Sequence, residues 1–350
     1  MPGQRRFDHN LAAQFARKAK PSDEVKNEWE RVRTEITEWS GDALLSNEWF
    51  SMASADQATT FIEQFDPSQV HIIFTARDLT RLVPSGWQES LKLGQGKSLS
   101  EFVADMDSKV NPRWNWNTVD PARVLSKWGA ELPAANVHLI TIPPNSANKD
   151  LLWQRFASVI GVDPDSYDLN HARPNESLSA ESARFLQLIG PGLRSAISTE
   201  GASWRIPYRW IRNYVAHELL VPLRGSKIRL RDDDYKVVKG QAQSSINELR
   251  KPGYTVVGDL AELNPAPLDQ DAVYPDDVSE KELRDITTVV IPSMLKRLQD
   301  QTEVEDQLRT QLKSRTEQMV RPQTKNRTSI FNSTFKRAFS KALSSMRTRT

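Results

Sequence analysis

The sequence predicts an α/β fold, a parallel sheet flanked by helices, and three observations predict it. Segments with helical periodicity alternate with short apolar runs in αβαβ order, joined by short connections. One run, Val70 to Phe74, is apolar almost without interruption, broken only by His71, as a strand covered on both faces requires. Another, within "NVHLITIPP" from Asn136 to Pro144, ends in two prolines that close the strand.

Each element has its own local signal. In residues 22–39 the side chains of Val25, Trp29, Val32, Ile36 and Trp39 recur at steps of four and three, which places them on one helical face. Ala43 to Leu45 is a short apolar run that reads as a strand, ending in Ser46-Asn47-Glu48. Ala58, Phe61, Ile62 and Phe65 mark the next helix, and Asp78 to Leu93 the helix after the Val70–Phe74 strand. Residues 111–121 are irregular and aromatic. "ARVLSKWGAEL" predicts a helix, "NVHLITIPP" a strand, and "KDLLWQRFASVIG" a helix that stops at Gly161, a glycine suited to the left-handed turn beyond a helix end.

Beyond Pro174 the pattern is helical but broken by Pro191, Pro207 and Pro222, with a brief strand-like segment in Gly253 to Leu263. Ser279 and Glu282 have the spacing of a capping box that opens a long helix. Pro292 is expected to kink it, and Leu308 and Leu312 continue a heptad-like pattern that is polar enough to project from the body. This organisation divides the chain into an α/β domain over residues 1–270, a long helical segment over 276–320 and a tail over 321–350.

Composition bounds the chemistry. The 350 residues are 38% apolar and include ten Trp and twelve Phe, enough for a substantial core. The absence of cysteine excludes a disulfide framework, a thiolate nucleophile and Cys-ligated zinc or iron–sulfur sites. The five histidines show no metal-ligand spacing, and no metal is expected. "MPGQRRFDHN" has no apolar core of a signal peptide, and no window reaches the length of a membrane span, so a cytoplasmic location is expected.

The net charge is +2, yet residues 321–350 carry eight basic and no acidic side chains, which leaves −6 on residues 1–320. Within that tail, Phe331, Phe335, Phe339 and Leu343 recur at steps of four beside Lys336, Arg337 and Lys341. Such a stripe suits an anionic membrane surface, with a peripheral position at the inner membrane face, or a partner protein, or a solvated tail; no specific nucleic-acid partner is expected.

The strand tip at Arg77 is the first candidate for chemistry. The carboxyl end of a parallel strand and the first turn of the next helix form a place for an anion. Arg77 adds a cationic fork there, and Ser85 follows eight residues later, about two helical turns on. The reading assumes that Pro84 loosens the turn between them. Spacing alone leaves open an ion pair of Arg77 with Asp78 or a cap on a neighbouring helix. "GQGKS", from Gly94 to Ser98, ends like a phosphate-binding loop. It has Leu91 where the first glycine is required and follows a helix, and it reads as an ordinary loop.

The arrangement of strand, Arg77 and Ser85 resembles the 3′-phosphate site of sulfotransferases that use 3′-phosphoadenosine 5′-phosphosulfate (PAPS). "RDLTRLVPSGWQESLKLG", "ALLSNEWF", "VLSKWGAEL", "NVHLITIPP", "RPNESLSAESARFL" and "GYTVVGDLAELNP" follow one another as in a bacterial, actinobacterial-type sulfotransferase-like family, over roughly residues 1–300. The resemblance implies a P-loop-like sulfotransferase fold, PAPS as the donor without a metal, and transfer of a sulfuryl group to an acceptor hydroxyl or amine.

The resemblance also assigns roles. Arg77 and Ser85 would hold the 3′-phosphate, with Arg173 of "HARPNESL" approaching the same group. Glu48, just past the "ALL" strand, would accept the acceptor's proton; a helix-capping role is the other reading of that residue. Trp114 and Trp116 would shape an acceptor pocket for a sugar, lipid or small metabolite, or else pack in the core. The family's first strand, its 5′-phosphosulfate loop and the following helix are expected upstream of residue 1, and without them the chain as written is expected not to transfer sulfate. The alternatives are a non-catalytic nucleotide- or surface-binding protein on the same scaffold, and another nucleotide-binding transferase such as one with a kinase-like fold.

Overall fold

The computed structural model describes residues 5, 7–108, 110–144, 148, 150–169, 176–197, 203 and 205–320. The chain divides into two units, Met1–Val290 and Ile291–Thr350. The division falls at Val290, within the long helix Glu280–Val320.

The first unit is built on three parallel strands, β1 (Ile72–Ala76), β2 (Val137–Thr141) and β3 (Thr255–Val257), in the order β1-β2-β3. Ile72 pairs with Val137 and His138 with Thr255. Val137, Leu139, Ile140 and Thr141 of the central strand are buried. β1 and β3 form the two edges and are half-buried over most of their length. His71 Nδ1 and His138 Nε2 lie 2.8 Å apart where β1 begins, so these two histidines satisfy each other. Burial and the neighbouring His71 push the His138 imidazole below its ordinary value.

Parallel strands require crossovers, and helices provide them. α1 (Asp8–Arg17), α2 (Asp23–Thr37) and α3 (Ala55–Ile62) precede the sheet. α4 (Leu79–Leu91), α5 (Leu99–Ala104), α6 (Trp116–Val119) and α7 (Pro121–Trp128) connect β1 to β2. α8 (Leu151–Ile160), α9 (Ala180–Ile197), α10 (Arg205–Pro207) and α11 (Asp232–Leu249) lie between β2 and β3, and α12 (Glu280–Val320) ends the described chain. Between α10 and α11 the backbone widens into a π-helical stretch, Tyr208–Leu220, which closes with Val221 N–H donating to the Ala216 carbonyl. Gly161, at φ +69°, ends α8 in the left-handed region.

The core gathers the stripes that the sequence marks. Trp29 and Val32 of α2, Phe61 and Ile62 of α3, and Leu125 and Trp128 of α7 pack with Val137 and Leu139 of β2 and with Leu249 of α11. The Trp29 and Phe61 rings lie 4.9 Å apart, and Phe15 stacks on Trp29 at 5.4 Å. The indole N–H of Trp29 donates to Gln64.

Two expectations are corrected. Ala43 to Leu45 joins no strand: the Ser46 N–H donates to His9 Nδ1 and not to a neighbouring ladder, and Leu44 is exposed. Trp39 lies beyond the end of α2 and is 40% exposed, so the stripe ends at Ile36. Gly94–Ser98 is a loop, as expected, and the Lys97 ammonium in it pairs with Asp105. α12 runs on through Pro292, and among the described residues no helix is long and apolar enough to cross a membrane.

Asp120 fastens α7 to α11. It is 1% exposed, caps α7 by accepting from Ala122 N–H at 2.9 Å, and accepts from Ser245 Oγ at 2.6 Å and from Gln241. Asp120→Ala removes the cap and leaves buried donors unpaired, so it should lower unfolding stability by about 2–3 kcal/mol in urea denaturation. A loss below about 0.5 kcal/mol would contradict this account.

Candidate anion-binding site

β1 ends at Ala76, and only Arg77 and Asp78 separate it from α4. The short connection is held by Asp78, whose Oδ1 accepts from Thr80 N–H at 2.8 Å while Oδ2 accepts from Ala266 N–H at 3.1 Å. Both oxygens also face the Thr80 hydroxyl at 2.9 Å. Asp78 thus caps α4 and ties the strand tip to the segment that follows β3. Arg77 is left to face a cleft of about 440 Å³, whose lining includes Arg81, Pro143, Glu262 and Asn264. The cleft lies beyond the carboxyl ends of β1 and β2, where ligands of parallel sheets gather.

Arg77 and Ser85 meet. Arg77 Nη1 donates to Ser85 Oγ at 3.4 Å, and that hydroxyl donates to the Arg81 carbonyl at 3.0 Å. The reason differs from the expected one. Pro84 does not loosen the turn, because α4 is helical from Leu79 onward. Arg81 and Ser85 instead share a face one helical turn apart, and Arg77 folds back along it.

The charges in the cleft are unequal in their partners. Among the described residues no carboxylate lies within ion-pair distance of Arg77, and Asp78 approaches only Arg81, at 3.8 Å. Burial and the neighbouring Arg81 lower the Arg77 pKa, with Asp78 opposing. An arginine nonetheless stays charged in a protein. The second carboxylate, Glu262, is engaged by Arg155 through two hydrogen bonds of 2.6 and 2.9 Å and accepts from Thr141 Oγ1 at 2.5 Å. Those bonds hold its carboxyl at about 2. The cleft therefore presents the Arg77 guanidinium without a carboxylate in ion-pair distance and Arg81 with only Asp78 at 3.8 Å, at the start of α4, an arrangement that favours an anion.

The other sequence candidates lie apart from this cleft. Glu48 opens a short 3₁₀ turn, Glu48–Met52, is exposed, pairs with Arg113, and does not line the cleft. The Trp114 ring covers α4 beside Ser85: a methyl group placed on Gly86 would sit 2.6 Å from it. Trp116 is 1% exposed, so the expectation of a sugar-stacking surface is corrected to core packing, with neither ring face open. Arg173 and the basic tail, residues 321–350, lie outside the described residues. Among the described residues no three His, Asp or Glu side chains cluster as metal ligands. Sequence reasoning missed Arg81, which the one-turn step to Ser85 could have revealed. It also missed the Arg155–Glu262 pair, which has no local signal.

Comparison of the chain with protein-family models, curated proteins and solved structures finds no match.

Glu262 makes the first unit acid-sensitive. Its carboxyl is held at about 2 against an ordinary value of 4.5, so the stability it contributes is present above about pH 4.5 and is lost as pH falls toward 2. Glu262→Gln should flatten this part of the curve of stability against pH, measured by thermal unfolding between pH 2 and 6. An unchanged curve would remove the Arg155–Glu262 pair as its cause.

Proposed function

We propose that the cleft at the mouth of the sheet seats the 3′-phosphate of an adenine nucleotide, and that the chain is a sulfotransferase-family protein using PAPS. The contact between Arg77 and Ser85, in a cleft whose carboxylates are engaged elsewhere, carries this reading. A ribose phosphate would take the guanidinium fork of Arg77 and the hydroxyl of Ser85, with Arg81 adding charge at the rim. In the reaction the acceptor oxygen or nitrogen bonds to sulfur, the bond from sulfur to the bridging phosphate oxygen breaks, and adenosine 3′,5′-bisphosphate leaves. Glu48 would accept the acceptor's proton only on release from Arg113 and approach to the cleft.

A second reading is binding without transfer. It is favoured by Glu48, which is engaged by Arg113 and lies outside the lining of the cleft.

Calorimetric titration with adenosine 3′,5′-bisphosphate tests the binding step that both readings share. Arg77→Ala should weaken binding about 10- to 100-fold, the range expected for a lost hydrogen bond to a charged group. Adenosine 5′-monophosphate, which lacks the 3′-phosphate, should bind the unaltered protein with a similar deficit. Equal affinities for the two nucleotides, or an isotherm unaffected by Arg77→Ala, would refute the assignment.

A further inference from the structure

A second pair of arginines lies away from the cleft, and one of the two lacks a carboxylate partner among the described residues. Arg17 is the last residue of α1, Trp49 lies in the 3₁₀ turn Glu48–Met52, and Arg113 belongs to the aromatic segment before α6. Folding brings the three together. The guanidinium carbon of Arg17 lies 5.0 Å from the centroid of the Trp49 ring, and that of Arg113 lies 5.9 Å from it. Cation–π attraction holds each cation to the indole without neutralising its charge.

Arg17 has no carboxylate within ion-pair distance among the described residues. Its Nε is buried without a hydrogen-bond partner, and among the described residues it is the single buried side-chain nitrogen or oxygen in that state. Burial, and then the charge of Arg113, lower the pKa of Arg17. Arg113 has one acidic partner, Glu48, whose side chain is 70% exposed. An unpaired buried donor is destabilising, and two cations sharing one ring repel each other. An acceptor-rich anion beside the two guanidiniums would offset that repulsion.

We propose that Arg17 and Arg113, with Trp49 as a platform, form a binding site for a tetrahedral oxyanion, a phosphate or sulfate group. Guanidinium forks match such oxygens in pairs, and the indole supplies an apolar face for whatever the group is attached to. None of the three residues lines the cleft at Arg77, so this site stands or falls separately from the nucleotide reading.

Titration of the full chain with inorganic phosphate at constant ionic strength, followed by the NMR signals of arginine Nε–H and tryptophan indole N–H groups, tests it. A saturable shift is expected for the Arg17 and Trp49 signals. Arg17→Met keeps an unbranched chain against the ring and should weaken the binding at least tenfold, as should Arg113→Gln. Arg17→Lys, which restores the charge, should recover part of it. Thermal unfolding of each variant guards against loss of the fold.

Phenyl phosphate distinguishes the source of the group: tighter binding than inorganic phosphate identifies an ester seated on Trp49, and equal binding identifies the free anion. Absence of a saturable shift, or full affinity in a folded Arg17→Met protein, would overturn the proposal.

Discussion

The carboxylate of Asp78 is the constraint on which the candidate site depends. A two-residue connection between β1 and α4 leaves the first helical N–H groups without partners, and Asp78 binds one of them together with the Thr80 hydroxyl. Its other oxygen reaches Ala266, beyond β3, so one buried side chain fixes the strand tip, the helix start and the far wall of the cleft. Held in this way, Asp78 comes within ion-pair distance of Arg81, at 3.8 Å, and not of Arg77. The positive charge at the mouth of the sheet is a consequence of how the turn is built.

The same logic extends to the opposite wall. Glu262 lines the cleft and could have neutralised it, but Arg155 holds that carboxylate with two hydrogen bonds and Thr141 adds a third. Thr141 ends β2, so the sheet itself orients the pair. A cleft that contains two acids can still attract an anion when both acids are already satisfied by other partners. The Arg17–Trp49–Arg113 cluster is built differently, with two guanidiniums at one indole ring and Glu48 paired to Arg113.

Small as it is, the sheet organises the first unit because its middle strand is buried along most of its length. Helices on either side of the crossovers deliver their apolar stripes to that strand, and the cluster around Trp29 and Phe61 joins the early helices to α7. Asp120 supplies the polar counterpart by linking α7 to α11 inside the apolar surroundings. Rigid packing behind the strands lets the loops at their carboxyl ends carry the charged groups.

The sequence by itself determined what depends on neighbours in the chain. Helical periodicity placed α2, α3 and α8, continuous apolar runs placed β1 and β2, and Gly161 marked a helix end. The step from Arg77 to Ser85 placed a cation and a hydroxyl together, because a strand tip and a helix face have fixed local geometry. Tertiary structure decided the rest. Whether Ala43–Leu45 became a strand depended on a partner edge, and the backbone of Ser46 took His9 instead. Whether Trp116 was a ligand surface or core depended on what covered it. Glu262 meets an arginine 107 positions away, and Arg17 shares a ring with an arginine from another segment, pairings that no local pattern records. Contacts between distant segments form only when the whole chain closes on itself, so their chemistry is written in the packing and not in the spacing of residues.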